Sequence, residues 1–171
     1  MKSIRKISHI NPSLKGTYIF FSRLKSVKEI PYNKKKESFR FPKGWYAYVG
    51  SAFNTGGLKS RLNRHFHGSG KSHWNIDFFR KSVIPYNQAW VSYQDKKLER
   101  EWSSAIQLLD NLSVPVIGFG NSDDRGKPLI SGVKKSHLFH FTKKPKLEVF
   151  QAVVDEYFPD NDKIIQIKLP M

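Results

Sequence analysis

Residues 46–66 read YAYVGSAFNTGGLKSRLNRHF. The aromatic and β-branched run through Tyr48-Val49-Gly50-Ser51 has the composition of a strand, and the Gly56-Gly57 pair breaks it. Beyond the pair, Leu58, Leu62 and Phe66 recur every four residues. That spacing predicts a helix over 58–66, started by Thr55 or by the glycines themselves. Residues three and four apart are neighbours on a helix, so Arg61 and His65 stand beside Leu58 and Leu62. A core has no need of a guanidinium and an imidazole there. Either both snorkel from its edge, or the helix delivers them to a ligand.

Outward from this unit, GTYIFF at 16–21 reads as a strand after an Asn11-Pro12 turn. Residues 39–51 form a second strand region, broken at Pro42-Lys43-Gly44. Between them lies a basic excursion with Pro31 and the run Lys34, Lys35 and Lys36, which reads most simply as a solvated loop. HWNIDFFR (73–80) predicts a short helix and QAWVSY (88–93) a strand. Residues 97–112 predict a helix with Leu98, Trp102, Ala105, Ile106, Leu109 and Leu112 on one face. After a loop-like GFGNSDDRGKP come a strand at 137–142, an amphipathic helix at 146–158 and an alternating strand at 163–169. There is no repeat and no linker. The order implies one α/β (α+β) domain over 1–171, with an antiparallel start and helices flanking a small central sheet. Its last segment, 143–171, reads as a helix–strand extension that could form a dimer edge.

Composition narrows the partners. Thirty Lys and Arg against fourteen Asp and Glu leave a net charge of +16, with a pI near 10.0. Such an excess points to a polyanion, with nucleic acid ahead of a membrane surface. The absence of cysteine excludes a disulfide framework, a thiolate zinc site and a cysteine nucleophile. No apolar run approaches the roughly 18 residues of a membrane span. The basic start MKSIRKISHI lacks the apolar stretch of a signal peptide. A cytoplasmic, intracellular protein without membrane association is expected, as a monomer or homodimer.

Two further features stand out. Glu101, in LEREW, lies at the flank of the apolar face of the 97–112 helix. A partly buried carboxylate there is costly unless a salt bridge pairs it or it holds a metal, and Mg²⁺ or Mn²⁺ takes such oxygen ligands. Tyr18 and Tyr48 fall at corresponding points of two strands, where a tyrosine is either an ordinary sheet aromatic or a functional phenol. A phenol can act as general base, an arginine fork can clamp a phosphate, and histidine can move a proton. Together these side chains equip a site for phosphodiester hydrolysis. His65, His67 and His73, separated by Gly68 and Gly70, do not have zinc-ligand spacing. His73 and Asp77, four apart, read as a cap and packing pair, and Asp123-Asp124 as a turn. Trp45 and Trp74 read as core, with base stacking the alternative.

At these residues the chain resembles the GIY-YIG endonuclease superfamily. Gly16-Thr17-Tyr18 stands for its first signature and Tyr48-Val49-Gly50 for its second. Arg61 matches the helix arginine, followed by His65, and Glu101 matches the metal-binding glutamate. HWNIDFF, GFGNSDD and SHLFHF are similar to a compact branch of undefined role, found alone or fused to endonuclease III-type glycosylases. The resemblance spans about residues 14–142. It implies a three-stranded antiparallel sheet and one-metal hydrolysis of DNA, or of RNA. Tyr18 or Tyr48 would be the base and Glu101 the ligand of Mg²⁺ or Mn²⁺. Arg61 would stabilise the pentavalent phosphate, with His65 assisting a proton transfer and Asn121 shaping the site. Gly50, Ser51, Arg64, Lys34, Lys35, Lys36 and His73 would contact nucleic acid. The letters GTY and YVG depart mildly from the naming signature. Ser51 stands where some members carry lysine, and Asp124 where the branch implies cysteine. A fold that keeps its basic face without hydrolysis would be a nucleic-acid-binding module.

Overall fold

The computed structural model describes residues 5–31, 37–72, 75–120 and 126–170. Lys34, Lys35, Lys36, His73, Trp74, Asn121, Asp123 and Asp124 lie outside the described residues. In chain order the elements are β1 (Arg5–Lys6), β2 (Gly16–Leu24), β3 (Lys28–Pro31), β4 (Ser38–Phe41), β5 (Gly44–Ala52), α1 (Gly57–His67) and α2 (Asn75–Arg80). There follow β6 (Ile84–Ser92), α3 (Glu99–Ala105), β7 (Leu112–Ser113), β8 (Leu138–Phe141), α4 (Leu147–Tyr157) and β9 (Ile165–Lys168).

The centre is the expected antiparallel unit. β2 pairs along its whole length with β5, from Gly16 opposite Ala52 to Leu24 opposite Gly44. On its other side it pairs with β6, with an irregularity between Phe20 and Ser22. The mixed α/β class is as read from the sequence, but the sheet is larger than three strands. β8 and β7 extend it beyond β5, while β9 and a parallel β1 extend it beyond β6, giving the order β1-β9-β6-β2-β5-β8-β7. The stretch 39–51 divides at Pro42, where β4 turns away to form a separate hairpin with β3. A proline offers no N–H to continue the ladder.

Helices cover both faces, which is why β2 is buried at eight of nine positions. Ile19, Phe21, Ala47, Val49 and Trp90 face α3 and α4, meeting Trp102, Phe150 and Val154. There Trp90 stacks on Phe150 at 5.4 Å, and Trp102 meets the same ring edge-on. Tyr18, Phe20, Ala89 and Val91 face α1 through Leu58 and Leu62. The helix expected over 97–112 is shorter. It passes into a 3₁₀ turn at Ile106–Leu108 and is stopped by Asn111, which adopts φ 62°, a conformation asparagine tolerates.

Segment 143–171 is not an appendage. Phe150 and Val154 are fully buried in the main core, and β9 has β6 on one side and β1 on the other. It therefore presents no free edge to a second copy along the paired residues. No helix among the described residues is long and apolar enough to cross a membrane.

α2 is fixed to α1 by charge. The buried Asp77 carboxylate receives Arg80 Nε at 3.1 Å and Arg64 Nη2 at 2.9 Å. Arg80, fully buried along its side chain, also donates to the carbonyls of Arg64 and Ser69. Asp77 thus serves an ion-pair network, a stronger role than the helix cap inferred from its spacing to His73. Removing its charge strands a buried guanidinium. Asp77→Asn should cost about 3–5 kcal/mol in urea unfolding, and a loss below about 1 kcal/mol would contradict this account of the clamp.

Candidate active site

Strand register builds the site. Tyr18 on β2 lies directly opposite Gly50 on β5, and Tyr48, two residues before Gly50, shares its face. A Cβ at position 50 would sit 2.5 Å from the Tyr18 phenol oxygen, 2.6 Å from its Cζ and 3.1 Å from the Tyr48 ring. Glycine is therefore what lets the Tyr18 ring lie across the neighbouring strand.

The glycine pair then turns the chain into α1. Gly56 and Gly57 both adopt left-handed φ, 88° and 53°, and a Cβ on Gly57 would strike the Leu14 carbonyl. That carbonyl accepts the Leu58 N–H at 2.9 Å, which locks the helix start against the chain entering β2. The glycines, not Thr55, begin the helix. Its inner face places His65 under the tyrosines. His65 Nε2 and the Tyr18 phenol oxygen are 2.7 Å apart, and the imidazole packs against Tyr48 and Phe20 at 5.7 and 5.5 Å.

The imidazole is 3% exposed. Burial, then the cations Arg61 and Arg80, push its pKa down to about 3, so it is neutral at physiological pH. Nδ1 has no partner among the described residues. If Tyr18 donates to Nε2, only the Nδ1–H is left unpaired. The other tautomer would leave both the phenol hydrogen and the Nδ1 lone pair unpaired. The first arrangement wastes fewer buried groups, so the Tyr18 hydroxyl donates to His65.

Burial raises the pKa of both phenols. On Tyr18 the neighbouring Tyr48 adds to the rise, and on Tyr48 the charge of Glu99 does; Arg61 opposes it in each case. Tyr18 is 1% exposed, whereas the Tyr48 residue is only half-buried, although burial raises the pKa of its phenol as well. Arg61 and Arg64 line an open cleft of about 160 Å³ together with Asn54, Thr55 and Ser60, and the charge of Arg61 reaches both phenols. Part of Arg64 is committed to Asp77, as above, and its side chain remains 29% exposed. Ser51 pairs across from Thr17, and so faces α3 rather than α1.

The structure gives Glu101 local partners. Glu101 does not join the tyrosines. Its Oε1 is 2.6 Å from Lys96 Nζ, and its Oε2 accepts from Asn161 Nδ2 at 3.2 Å, so both oxygens are engaged in a structural pairing. Glu99 is the carboxylate whose charge reaches both phenols. Two residues on a helix are about 200° apart, so they cannot share a face. The Leu98 N–H donates to Thr17 Oγ1 at 2.9 Å, which ties the start of α3 to the residue before Tyr18. Glu99 is half-buried, and no ion pair or hydrogen bond engages its carboxylate among the described residues. That state fits a ligand of a hard divalent cation, which often takes one carboxylate with waters and phosphate. No three His, Asp or Glu side chains gather to hold a metal among the described residues.

Fold and site together define a mixed α/β protein with a buried tyrosine–histidine pair and an open cleft lined by two arginines of α1. The chain belongs to the family described as Domain of unknown function DUF123, whose profile matches residues 17–158. No curated protein and no solved structure matches it.

Two outcomes follow from the geometry. Gly50→Ala drives a methyl into two rings and should cost about 1–3 kcal/mol; an unchanged melting temperature would contradict the close approach. His65 has a folded pKa below its ordinary value, so the unfolded chain binds the proton first. Stability from its neutral state is complete above about pH 6.5 and is lost as pH falls toward 3. The slope is at most about 1.4 kcal/mol per pH unit. Urea unfolding between pH 7 and 4 should show a shallower dependence for His65→Gln than for wild type. Equal slopes would contradict the buried, neutral imidazole.

Proposed function

We propose that the protein is a divalent-metal-dependent endonuclease of the GIY-YIG kind, hydrolysing phosphodiester bonds of DNA in an intracellular setting. The observation that carries this reading is the packing of Tyr18, Tyr48 and His65, with the charges of Arg61 and Glu99 reaching both phenols and Arg61 lining an open cleft. The net charge of +16 suits a polyanionic substrate.

In this reading Arg61 clamps the non-bridging oxygens of the scissile phosphate and meets the charge that grows on them. Loss of such a contact typically lowers the rate 100-fold or more. Tyr48, the less buried of the two residues, takes the proton of the attacking water. Tyr18 stays neutral, its hydrogen held by His65, and fixes the ring of Tyr48 beside it. Glu99 rather than Glu101 would hold Mg²⁺ or Mn²⁺, which supplies positive charge to the phosphate and acidifies a bound water.

A second reading has its own support. Both phenols are raised in pKa by burial, which opposes a base at neutral pH and suits a module that binds nucleic acid without cutting it.

Cleavage of labelled single-stranded, duplex and branched DNA with Mg²⁺, Mn²⁺ or EDTA separates the two. Metal-dependent cutting should fall about 100-fold or more in Glu99→Gln and Arg61→Gln. In Glu101→Gln it should stay within about threefold, since Lys96 and Asn161 already engage both of its oxygens and a pair with an exposed lysine contributes little. Salt-sensitive binding with no cutting in any lane would favour the binding module. The rate should also climb with pH from 7 to 9, by up to about tenfold per unit, because the phenolate is the minor form throughout. A flat profile would remove Tyr48 from the role of base.

A further inference from the structure

One row of the central sheet is out of character with its neighbours. On the face that meets α3 and α4, Ile19 lies between Val49 and Trp90, a hydrophobic row within the main core. Two residues earlier the same face carries Thr17, opposite Ser51 on β5 and Ser92 on β6. Three hydroxyls thus cross three strands, and both Thr17 and Ser92 are fully buried. Burying a hydroxyl costs stability unless it serves a hydrogen bond.

Two of the three serve the chain that enters α3. Ser92 Oγ accepts the Gln94 N–H at 3.2 Å, and Thr17 Oγ1 accepts the Leu98 N–H at 2.9 Å. Leu98 is fully buried and stands at the cap position of α3 with no side-chain cap of its own. Without Thr17 its N–H would be an orphan in the core.

That single bond joins the neighbours of two groups in the proposed site. Thr17 precedes Tyr18, and Leu98 precedes Glu99. Among the described residues no ion pair or hydrogen bond holds the Glu99 carboxylate, so its place follows from where the backbone of α3 begins. The charge of Glu99 reaches both phenols from there.

We infer that Thr17 is a positioning residue, whose hydroxyl acts through the Leu98 N–H to hold the Glu99 carboxylate at its distance from Tyr18 and Tyr48. That this placement serves a metal-bound phosphate rests on the nuclease reading; the placement itself does not.

Two NMR readouts of the full chain separate placement from metal chemistry. Glu99→Gln removes a charge near the phenols, so it should shift the Tyr18 and Tyr48 ring resonances in the wild-type background. In Thr17→Val, which keeps the side-chain shape without the hydroxyl, that response should fall about twofold or more as the charge moves away. Exchange of the Leu98 amide should quicken about tenfold or more in the same variant. Thr17→Ser, which keeps the hydroxyl, should restore both. Thr17→Ala repeats the comparison without added bulk if Thr17→Val does not fold. A merely structural bond would change the amide exchange and leave the ring response intact. A ring response equal in wild type and Thr17→Val, or absent in wild type, would overturn the placement. Mn²⁺ affinity, read from amide broadening, should fall about tenfold in Thr17→Val and recover in Thr17→Ser. Ring responses as expected, with Mn²⁺ indifferent to Glu99→Gln, would uphold the role of Thr17 and overturn the metal reading instead.

Discussion

Tyr18 lies across Gly50 because β2 and β5 pair in one register, and most of the site follows from that contact. A slip of one residue would send Tyr18 to the opposite face of the sheet, under α3 and α4 instead of α1. Held in register, the two strands bring both phenols to the same face, and the space normally taken by a Cβ admits the Tyr18 ring. The histidine of α1 closes over this floor with a 2.7 Å hydrogen bond to the phenol. That bond needs α1 at a fixed height, which the left-handed glycine pair and the Leu14 carbonyl provide.

Electrostatics in this region come from groups of unequal burial. His65 is kept neutral by burial and by Arg61 and Arg80. Asp77 balances two of the arginines beneath the cleft and stays buried in doing so. Arg61 forms no ion pair among the described residues and lines the cleft, so its charge is available to a partner. On the other side of the sheet the start of α3, tethered to Thr17, brings a carboxylate within electrostatic reach of the phenols. The phenols thus feel an arginine from α1 and a glutamate from α3, opposed in sign, across one strand pair.

Much of this was legible in residues 46–66 and their counterpart at 16–21. Alternating aromatics, the glycine pair and the fourfold leucine spacing specify strand, turn and helix with little help from tertiary context. Tyr18, Tyr48, Arg61 and His65 could be placed on one surface from that pattern, and the structure brings them together. The spacing singles out Glu101 and sets Glu99 aside; that the charge of Glu99 reaches the phenols depends on how α3 is set, and Leu98 ties it to Thr17, eighty-one positions away. Glu101 satisfies the flank of the apolar face with a local lysine, which sequence spacing cannot tell from a metal ligand. The wider sheet was equally hidden, since β1 and β7 contribute only two residues each, too few for any periodicity. Asp77 and Arg80 had a readable signal in their i,i+3 spacing, but nothing local revealed that Arg64 would join them.

The central claim is that Glu99, the two phenols and Arg61 form one phosphate-directed metal site. Paramagnetic broadening of amide resonances by substoichiometric Mn²⁺ tests it without relying on turnover. The account predicts broadening centred on residues 17–18, 48–51 and 99, abolished by Glu99→Gln and retained in Glu101→Gln. Broadening centred on Lys96, Glu101 and Asn161, or unchanged by Glu99→Gln, would contradict it.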